Sequence, residues 1–213
     1  MSARREAPGN FDGVARAYRW LEYMTFARAL ERCRFAFIPA LADRRKALIF
    51  GDGDGRFTSR LTAAAPGLSA DCVDASARML ELLRERAPRA RTHLADARDF
   101  SPPGAGYDLV ATHFFLDCLT TEEVAALAER LNPSLSAQAV WVVSEFSIAS
   151  GFWAMPSAAL VRALYLAFRI LTGLRTTRLP DHGAALRAAG WRLSDERRLL
   201  GGMLRAEFWR RAA

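Results

Sequence analysis

The densest group of ligand-type residues in this 213-residue chain is Gly51-Asp52-Gly53-Asp54-Gly55, directly behind the apolar run Ala47 to Phe50. Glycines at a strand-to-helix turn let a ligand come close to the backbone. A dinucleotide pyrophosphate prefers Gly-x-Gly-x-x-Gly and bare N–H groups at the start of a helix. Here the third glycine comes one residue early, and Asp52 and Asp54 put two carboxylates in the loop. These oppose a pyrophosphate and suit a ligand that carries a sulfonium and an ammonium. A tight turn without any ligand is the other reading of the same glycines. About twenty residues on, Asp74 stands in Val73-Asp74-Ala75-Ser76, where an acid suits ribose hydroxyls or caps the helix that begins near Ser76. Asp96, in Leu94-Ala95-Asp96-Ala97-Arg98-Asp99-Phe100, suits an adenine amino group. The run Tyr107 to Phe114, ending Thr112-His113-Phe114, follows. These signals come in order at the carboxyl ends of successive strand-like runs, where open α/β sheets bind ligands.

The groups able to move a proton are His113, Asp117, Glu145 and His182. His113 and Glu145 close the fourth and fifth strand-like runs, are expected to point towards the cleft, and are the catalytic candidates for acidic acceptors such as phenols or thiols. Other readings stand beside these. His113 packs against a cofactor; Glu145 bonds backbone or a core partner; Asp117 is a surface or cap residue; His182 belongs to the first turn of a helix.

The elements that must position these groups alternate. Apolar spacing of three and four predicts helix from Phe11 to about Leu41 (Val14, Tyr18, Leu21, Phe26, Leu30, Cys33, Phe37). Strands are predicted at Ala47–Phe50, Ser69–Val73, Arg91–Leu94, Asp108–His113 and Ala139–Glu145, with helices at Phe57–Ala65, Ala75–Ala87 and Thr121–Leu131. Pro66-Gly67 ends the first of these helices, and Thr120 or Thr121 caps the last, with Glu122 and Glu123 in its first turn. Pro156–Leu171 reads as a long apolar helix and Ala184–Ala189 as a short one capped by Asp181. Trp191–Leu199 and Met203–Arg210 flank Gly201-Gly202 as a hairpin. The pattern is an α/β fold with a mostly parallel sheet and a C-terminal antiparallel hairpin.

The formal charge of +7 comes almost wholly from arginine, Lys46 being the sole lysine, and the arginines are scattered. A nucleic-acid partner wants a concentrated basic face, so none is expected. Pro156–Leu171 is too short and too charged, with Arg162 and Arg169, to span a membrane; surface contact as an amphipathic element is the weaker membrane reading. No metal ligands are expected. The polar start, Met1 to Asn10, gives no sign of a secretory signal. Cys33, Cys72 and Cys118 are far apart and odd in number, which fits a reducing cytoplasm.

With the loop, Asp74, Asp96 and the Phe11-Asp12-x-Val14-Ala15-x-x-Tyr18 opening in this order, the chain resembles the class I S-adenosylmethionine-dependent methyltransferases, from about Phe11 to the C-terminus. The opening is similar to that of the quinone-biosynthesis C-methyltransferases and many small-molecule relatives. The resemblance implies a Rossmann-like, seven-stranded sheet with the last strand antiparallel, in a single domain over 1–213. Residues 1–43 and 151–180 would be lids, rich in aromatic side chains such as Trp20, Tyr23, Phe152 and Trp153. It implies S-adenosylmethionine as cofactor: Gly51, Asp52, Gly53 and Gly55 along its methionine part, Asp74 and Ala75 at the ribose, Met79, Asp96 and Ala97 at the adenine, and Tyr18, Thr112 and His113 on the methyl side. One departure stands out. Members usually carry an acid two residues before the first loop glycine, near the ammonium, and this chain has Ile49. Asp52, Asp54, or backbone carbonyls and water would then serve. The expected reaction is methyl transfer to a small, apolar or aromatic acceptor. An RNA or other macromolecule methyltransferase, a non-catalytic ligand-binding relative and a nicotinamide oxidoreductase are the alternatives. Oligomeric state is left open.

Overall fold

The computed structural model of the protein describes residues 27–147 and 180–212. Tyr18, the part of the expected 1–43 lid up to residue 26, the expected 151–180 lid up to residue 179, and the helix expected at Pro156–Leu171 lie outside the described residues.

Helix α1 (Ala27–Arg34) leads through a 3₁₀ turn (Ile38–Leu41) into β1 (Lys46–Phe50), α2 (Arg56–Ala64), β2 (Ser69–Asp74), α3 (Ala77–Arg86) and β3 (Arg91–Leu94). Then follow β4 (Tyr107–His113), α4 (Thr121–Leu131), β5 (Leu135–Phe146), α5 (His182–Ala188), β6 (Trp191–Leu199) and β7 (Leu204–Arg211). The sheet has seven strands in the order β3-β2-β1-β4-β5-β7-β6. β1 to β5 are mutually parallel, and β7 lies antiparallel to both β5 and β6. The order reverses between β1 and β4, a switch point of the kind that opens a crevice at the carboxyl ends of the strands.

Side-chain alternation divides the core into two halves. Ala47, Ile49, Leu109, Ala111, Val140 and Val142 pack on the face covered by α1, α2 and α3, with Leu30, Phe57 and Leu83. Leu48, Phe50, Val110, Trp141 and Val143 pack on the opposite face under α4 and α5, with Leu127 and Leu186. The central strands are apolar on both faces because helices cover both.

Several boundaries depart from the sequence expectation, among them the start of α5, at His182 in place of Ala184, and three others have a local cause. The helix read to Leu41 ends its α-helical part at Arg34, and Pro39 enters the 3₁₀ turn instead, since the residue before a proline resists the α conformation. The helix read from Ala75 starts at Ala77, because Ser76 caps it by accepting the Met79 amide. β5 starts at Leu135, four residues earlier than the alternation suggests, and a register shift between Tyr107 and Leu109 absorbs the extra length. The cap of α4 is Thr120, in a full capping box with Glu123. Among the described residues no helix is long and apolar enough to cross a membrane, and no cluster of metal-ligand side chains occurs.

Candidate cofactor cleft and acceptor pocket

The loop between β1 and α2 holds three glycines with left-handed backbone, and two of them serve different ends. A Cβ on Gly51 (φ +62°) would stand 2.3 Å from the Phe115 ring, so this position is glycine because the protein's own β4–α4 connection packs on it. A Cβ on Gly53 (φ +59°) would meet only the Met79 sulfur, at 3.9 Å. Gly53 therefore faces open space on its Cα side, which lets a ligand approach the backbone closely, while its amide serves the Asp74 carboxylate.

The loop carboxylates are turned inward. Asp52 is buried; it accepts the Phe57 amide at 3.2 Å, the Thr58 amide at 2.8 Å and the Thr58 hydroxyl at 2.7 Å, at the start of α2. Burial pushes its carboxyl above the ordinary range against the pull of Arg34 and these bonds. Asp54 pairs with Arg56 at 3.2 Å and Arg86 at 2.5 Å, and Arg56 also reaches Glu31 of α1 at 3.2 Å. Ile49 is fully buried on the α1–α3 face of the sheet.

Asp74 ends β2 beside this loop. One carboxyl oxygen accepts the Ser76 amide at 2.8 Å. Burial, with the charge of Asp52 added and backbone bonds from Ser76, Gly53 and Ala75 opposing, pushes its carboxyl to about 6. Ser76, not Asp74, is the helix cap, so the capping reading of Asp74 is replaced by a carboxylate held against the glycine loop. Ala75 is exposed and Met79 half-buried above the loop. Asp96 turns one oxygen to the Arg98 amide at 2.9 Å and guanidinium at 3.1 Å, and the Ala97 carbonyl accepts Arg130 at 2.8 Å. Arg130 of α4 thus fixes the β3–β4 connection at the adenine end expected of the cleft.

At the ends of β4 and β5 alternation separates residues adjacent in sequence. Thr112 lies on the α4–α5 face, where its hydroxyl accepts the Trp141 indole N–H at 3.0 Å. His113 lies on the other face, its ring 4.2 Å from the Phe57 ring and its Nδ1 2.8 Å from the Ser144 hydroxyl. Ser144 gives its one proton to the Cys33 carbonyl at 3.2 Å, so Nδ1 carries the histidine proton and Nε2 the lone pair. Burial, then the Arg34 charge, holds His113 well below its usual range, hence neutral. Nε2 has no hydrogen-bond partner among the described residues.

Glu145 is 2% exposed and lies on the face opposite His113. Its Oε1 accepts the Phe115 amide at 3.1 Å and the Leu116 amide at 2.8 Å, while Oε2 has no partner among the described residues. Burial and the Asp117 charge push this carboxyl well above its ordinary range. Glu145 lines a cavity of about 530 Å³ between the end of β5, the start of α5 and β6–β7, with Asp117, His182, Arg205, Glu207 and Trp209 among the other lining residues. His182 is the first residue of α5, and its Nε2 lies 3.0 Å from Glu207. Glu207 also accepts Arg205 at 3.1 Å and the Trp209 indole at 2.8 Å; burial raises it, but these bonds hold it below the usual range.

The fold thus gathers Gly53, Asp74, Ala75 and Met79 at one cleft, and Asp117, Glu145 and His182 at one pocket. It keeps His113 and Glu145 on opposite faces, and ties the side chains of Asp52, Asp54 and Thr112 into the protein. Arg34, Phe115, Ser144 and Glu207 were not legible as site residues: each reads as a surface charge, a core residue or a strand residue until the sheet is assembled. The thiols take no part. Burial pushes Cys33 and Cys72 to about 12.

Comparison with known proteins agrees with this architecture. Residues 47–137 match a family described as a methyltransferase domain. Among curated proteins none matches the sequence. The 1,6-didemethyltoxoflavin N1-methyltransferase of Burkholderia thailandensis, solved with its acceptor and S-adenosylhomocysteine, superposes with a TM-score of 0.60 at 17% identity, over 100% of this chain and 94% of that one. A TehB-like methyltransferase of Corynebacterium glutamicum gives 0.64 at 15%, over 93% and 98%. The mitomycin 7-O-methyltransferase gives 0.65 at 19%, covering 91% of this chain, which spans only 60% of that longer protein. At such identities the likeness is one of fold.

Proposed function

We propose that this chain is a class I S-adenosylmethionine-dependent methyltransferase and transfers a methyl group from S-adenosylmethionine to a small-molecule acceptor; its match to a methyltransferase-domain family over 47–137 and its strand order support this reading. The observation that carries this reading is the pairing of Gly53, open to the crevice, with the Asp74 carboxylate beside it at the switch point of the sheet. These residues fit the cofactor: a partly exposed carboxylate suits two ribose hydroxyls, and an unobstructed glycine suits close backbone approach. In this reading Asp74 and Ala75 hold the ribose, Met79 with Asp96 and Ala97 border the adenine, and the Gly51–Gly55 loop follows the methionine part. Asp52 shapes that loop from beneath by fixing the start of α2.

Bound there, S-adenosylmethionine supplies a sulfonium methyl. What the chain's own residues must do is align an acceptor and exclude water. Of the two proton-handling candidates, Glu145 borders the cavity and is assigned contact with the acceptor. His113, sealed between Phe57 and Ser144, is assigned a positioning part: it ties β4 to β5 and α2 beneath the cleft. The aromatic segments that favour an apolar acceptor lie outside the described residues, and the cavity is lined by apolar side chains such as Phe146, Leu193 and Trp209 as well as by charged ones, so the acceptor is read as an aromatic or apolar body with a polar group. The test is calorimetry on the full chain with S-adenosylhomocysteine and, separately, NADH. Binding of the first alone is expected; binding of NADH alone would return the chain to the oxidoreductases.

A further inference from the structure

The cavity beside Glu145 has a charge arrangement that selects among acceptors. Its cations lie beside acids or a ring: Arg205 with Glu207 at 3.1 Å and Glu196 at 3.9 Å, although its Nε has no hydrogen-bond partner among the described residues, Arg198 with Glu196, and Arg187 over the Trp209 ring at 5.6 Å. Its acids are not all engaged. Glu145 keeps one carboxyl oxygen without a partner among the described residues although the side chain is almost wholly buried. Leaving a buried carboxyl oxygen unpaired costs stability, so such a group is normally met by a partner when the protein works. The field at that oxygen is negative, from Asp117 and Glu207. Burial and the same field keep a proton on Glu145 until a partner arrives; a cationic donor brought to it is attracted and ionises the carboxyl, whereas an anion is repelled.

We propose that this cavity binds the protonated amino group of the acceptor, with Glu145 as its counter-ion and Asp117 as a second acid on the same wall. The proposal rests on the methyltransferase reading and narrows it to an amine-bearing small molecule. Oε1 is already held by the Phe115 and Leu116 amides, which leaves Oε2 to meet the ammonium. The geometry also links this pocket to the cofactor loop. The Phe115 whose amide binds Glu145 is the residue whose ring packs on Gly51. The cavity volume of about 530 Å³ suits a molecule of one or two rings.

The test uses the full chain saturated with S-adenosylhomocysteine, whose own binding isotherm reports on the methyltransferase reading independently. Matched trios of 2-phenylethylamine, 2-phenylethanol and phenylacetate, and the corresponding indole trio, are titrated by calorimetry. The amines are expected to bind at least about tenfold tighter than the alcohols, the scale of one charge-assisted hydrogen bond. Glu145→Gln, which keeps an oxygen for the two loop amides, should reduce that preference to near unity. Asp117→Asn, which leaves the loop anchor intact, should reduce it partially and guards against a folding defect in the first variant. No amine preference in either trio, tighter binding of the carboxylates, or a preference that survives both substitutions would each overturn the proposal. If S-adenosylhomocysteine itself does not bind, the fault lies with the broader reading, and the amine preference is still scored on the cofactor-free chain.

Discussion

His113 and Glu145 close neighbouring strands, β4 and β5, yet they stand on opposite faces of the sheet. His113 pairs in register with Ser144, and Glu145 is the next residue. One step along a strand reverses the side chain, so His113 meets Phe57 of α2 while Glu145 meets the Phe115 and Leu116 amides and the pocket under α5. The two proton-handling candidates therefore have separate parts, and each can be removed without touching the other.

The Glu145 anchor has a measurable stability cost. Glu145→Ala leaves two amides without an acceptor, the Leu116 amide in a buried setting. Each orphaned donor costs about 1–3 kcal/mol. Removing a buried, partly unsatisfied carboxyl returns some of that, so a net loss of about 2 kcal/mol is expected. Glu145→Gln should lose less than half as much, since it keeps an acceptor oxygen. Urea unfolding of both variants checks the ranking, and equal losses would mean that the loop amides do not depend on this side chain.

The loop glycines should respond differently to alanine. Gly51→Ala drives a methyl into the Phe115 ring at 2.3 Å and should unfold or strongly destabilise the chain. Gly53→Ala meets nothing closer than 3.9 Å, so its structural cost is the strained positive φ, about 1 kcal/mol. Its larger effect should be on S-adenosylhomocysteine affinity, because the methyl projects into the crevice. Thermal melts and calorimetry on the pair separate these effects; an unchanged affinity in Gly53→Ala would remove that residue from the cofactor site.

Much of this was legible in the sequence. The alternation of strand and helix, the C-terminal hairpin and the positions of Gly53 and Asp74 follow from local pattern, because glycine, proline and apolar periodicity act over a few residues. The orientation of Asp52 was not legible. Nothing local distinguishes a carboxylate facing a ligand from one folded back on Phe57 and Thr58, since the choice depends on where α2 starts in space. Thr112 and His113 illustrate an intermediate case. Once β4 is recognised as a strand, only one of the two side chains can lie on a given face, and that restriction follows from sequence alone.

The two loop aspartates can be told apart from any ammonium-binding role. Asp52→Ala removes the acceptor for two amides and a hydroxyl at the start of α2 and should cost about 1–2 kcal/mol. Asp54→Asn breaks ion pairs with partly exposed arginines and should cost less than about 1 kcal/mol. Neither is expected to weaken S-adenosylhomocysteine binding by more than about threefold, allowing for loop adjustment. A tenfold loss in Asp54→Asn, without a matching stability loss, would assign that carboxylate to the ammonium in place of the acid missing at Ile49.

Asp74 should make cofactor binding depend on pH. With its carboxyl at about 6, it is ionised above that value and accepts from two hydroxyls; below it, one oxygen carries a proton. Affinity for S-adenosylhomocysteine should therefore fall as pH drops from 7 to 5. Asp74→Ala should lose about 1–3 kcal/mol of binding at pH 7 and flatten the dependence. A parent protein whose affinity is level across this range would count against the ribose assignment.

His113 gives the last prediction, on stability. In the folded chain burial and the Arg34 charge hold its ring neutral well below its ordinary range. In the unfolded chain it takes up a proton near pH 6.5. Below that pH the unfolded state binds one more proton than the folded state, so this group's contribution to stability is present above about 6.5 and is lost as pH falls towards the lowered folded value. The limiting slope for one proton is about 1.4 kcal/mol per pH unit. Asp74 and Glu145, whose carboxyls are raised, act in the opposite sense, so the parent's own curve mixes several groups. The difference between the parent and His113→Asn isolates the histidine. Asparagine can still donate to Ser144 from the position of Nδ1 but does not titrate. Urea unfolding from pH 7.5 to 5 should show the parent losing stability faster than the variant by roughly that slope once below pH 6. Parallel curves would mean that His113 is reached by water and protonates in the folded chain, which would restore it as a candidate for proton transfer.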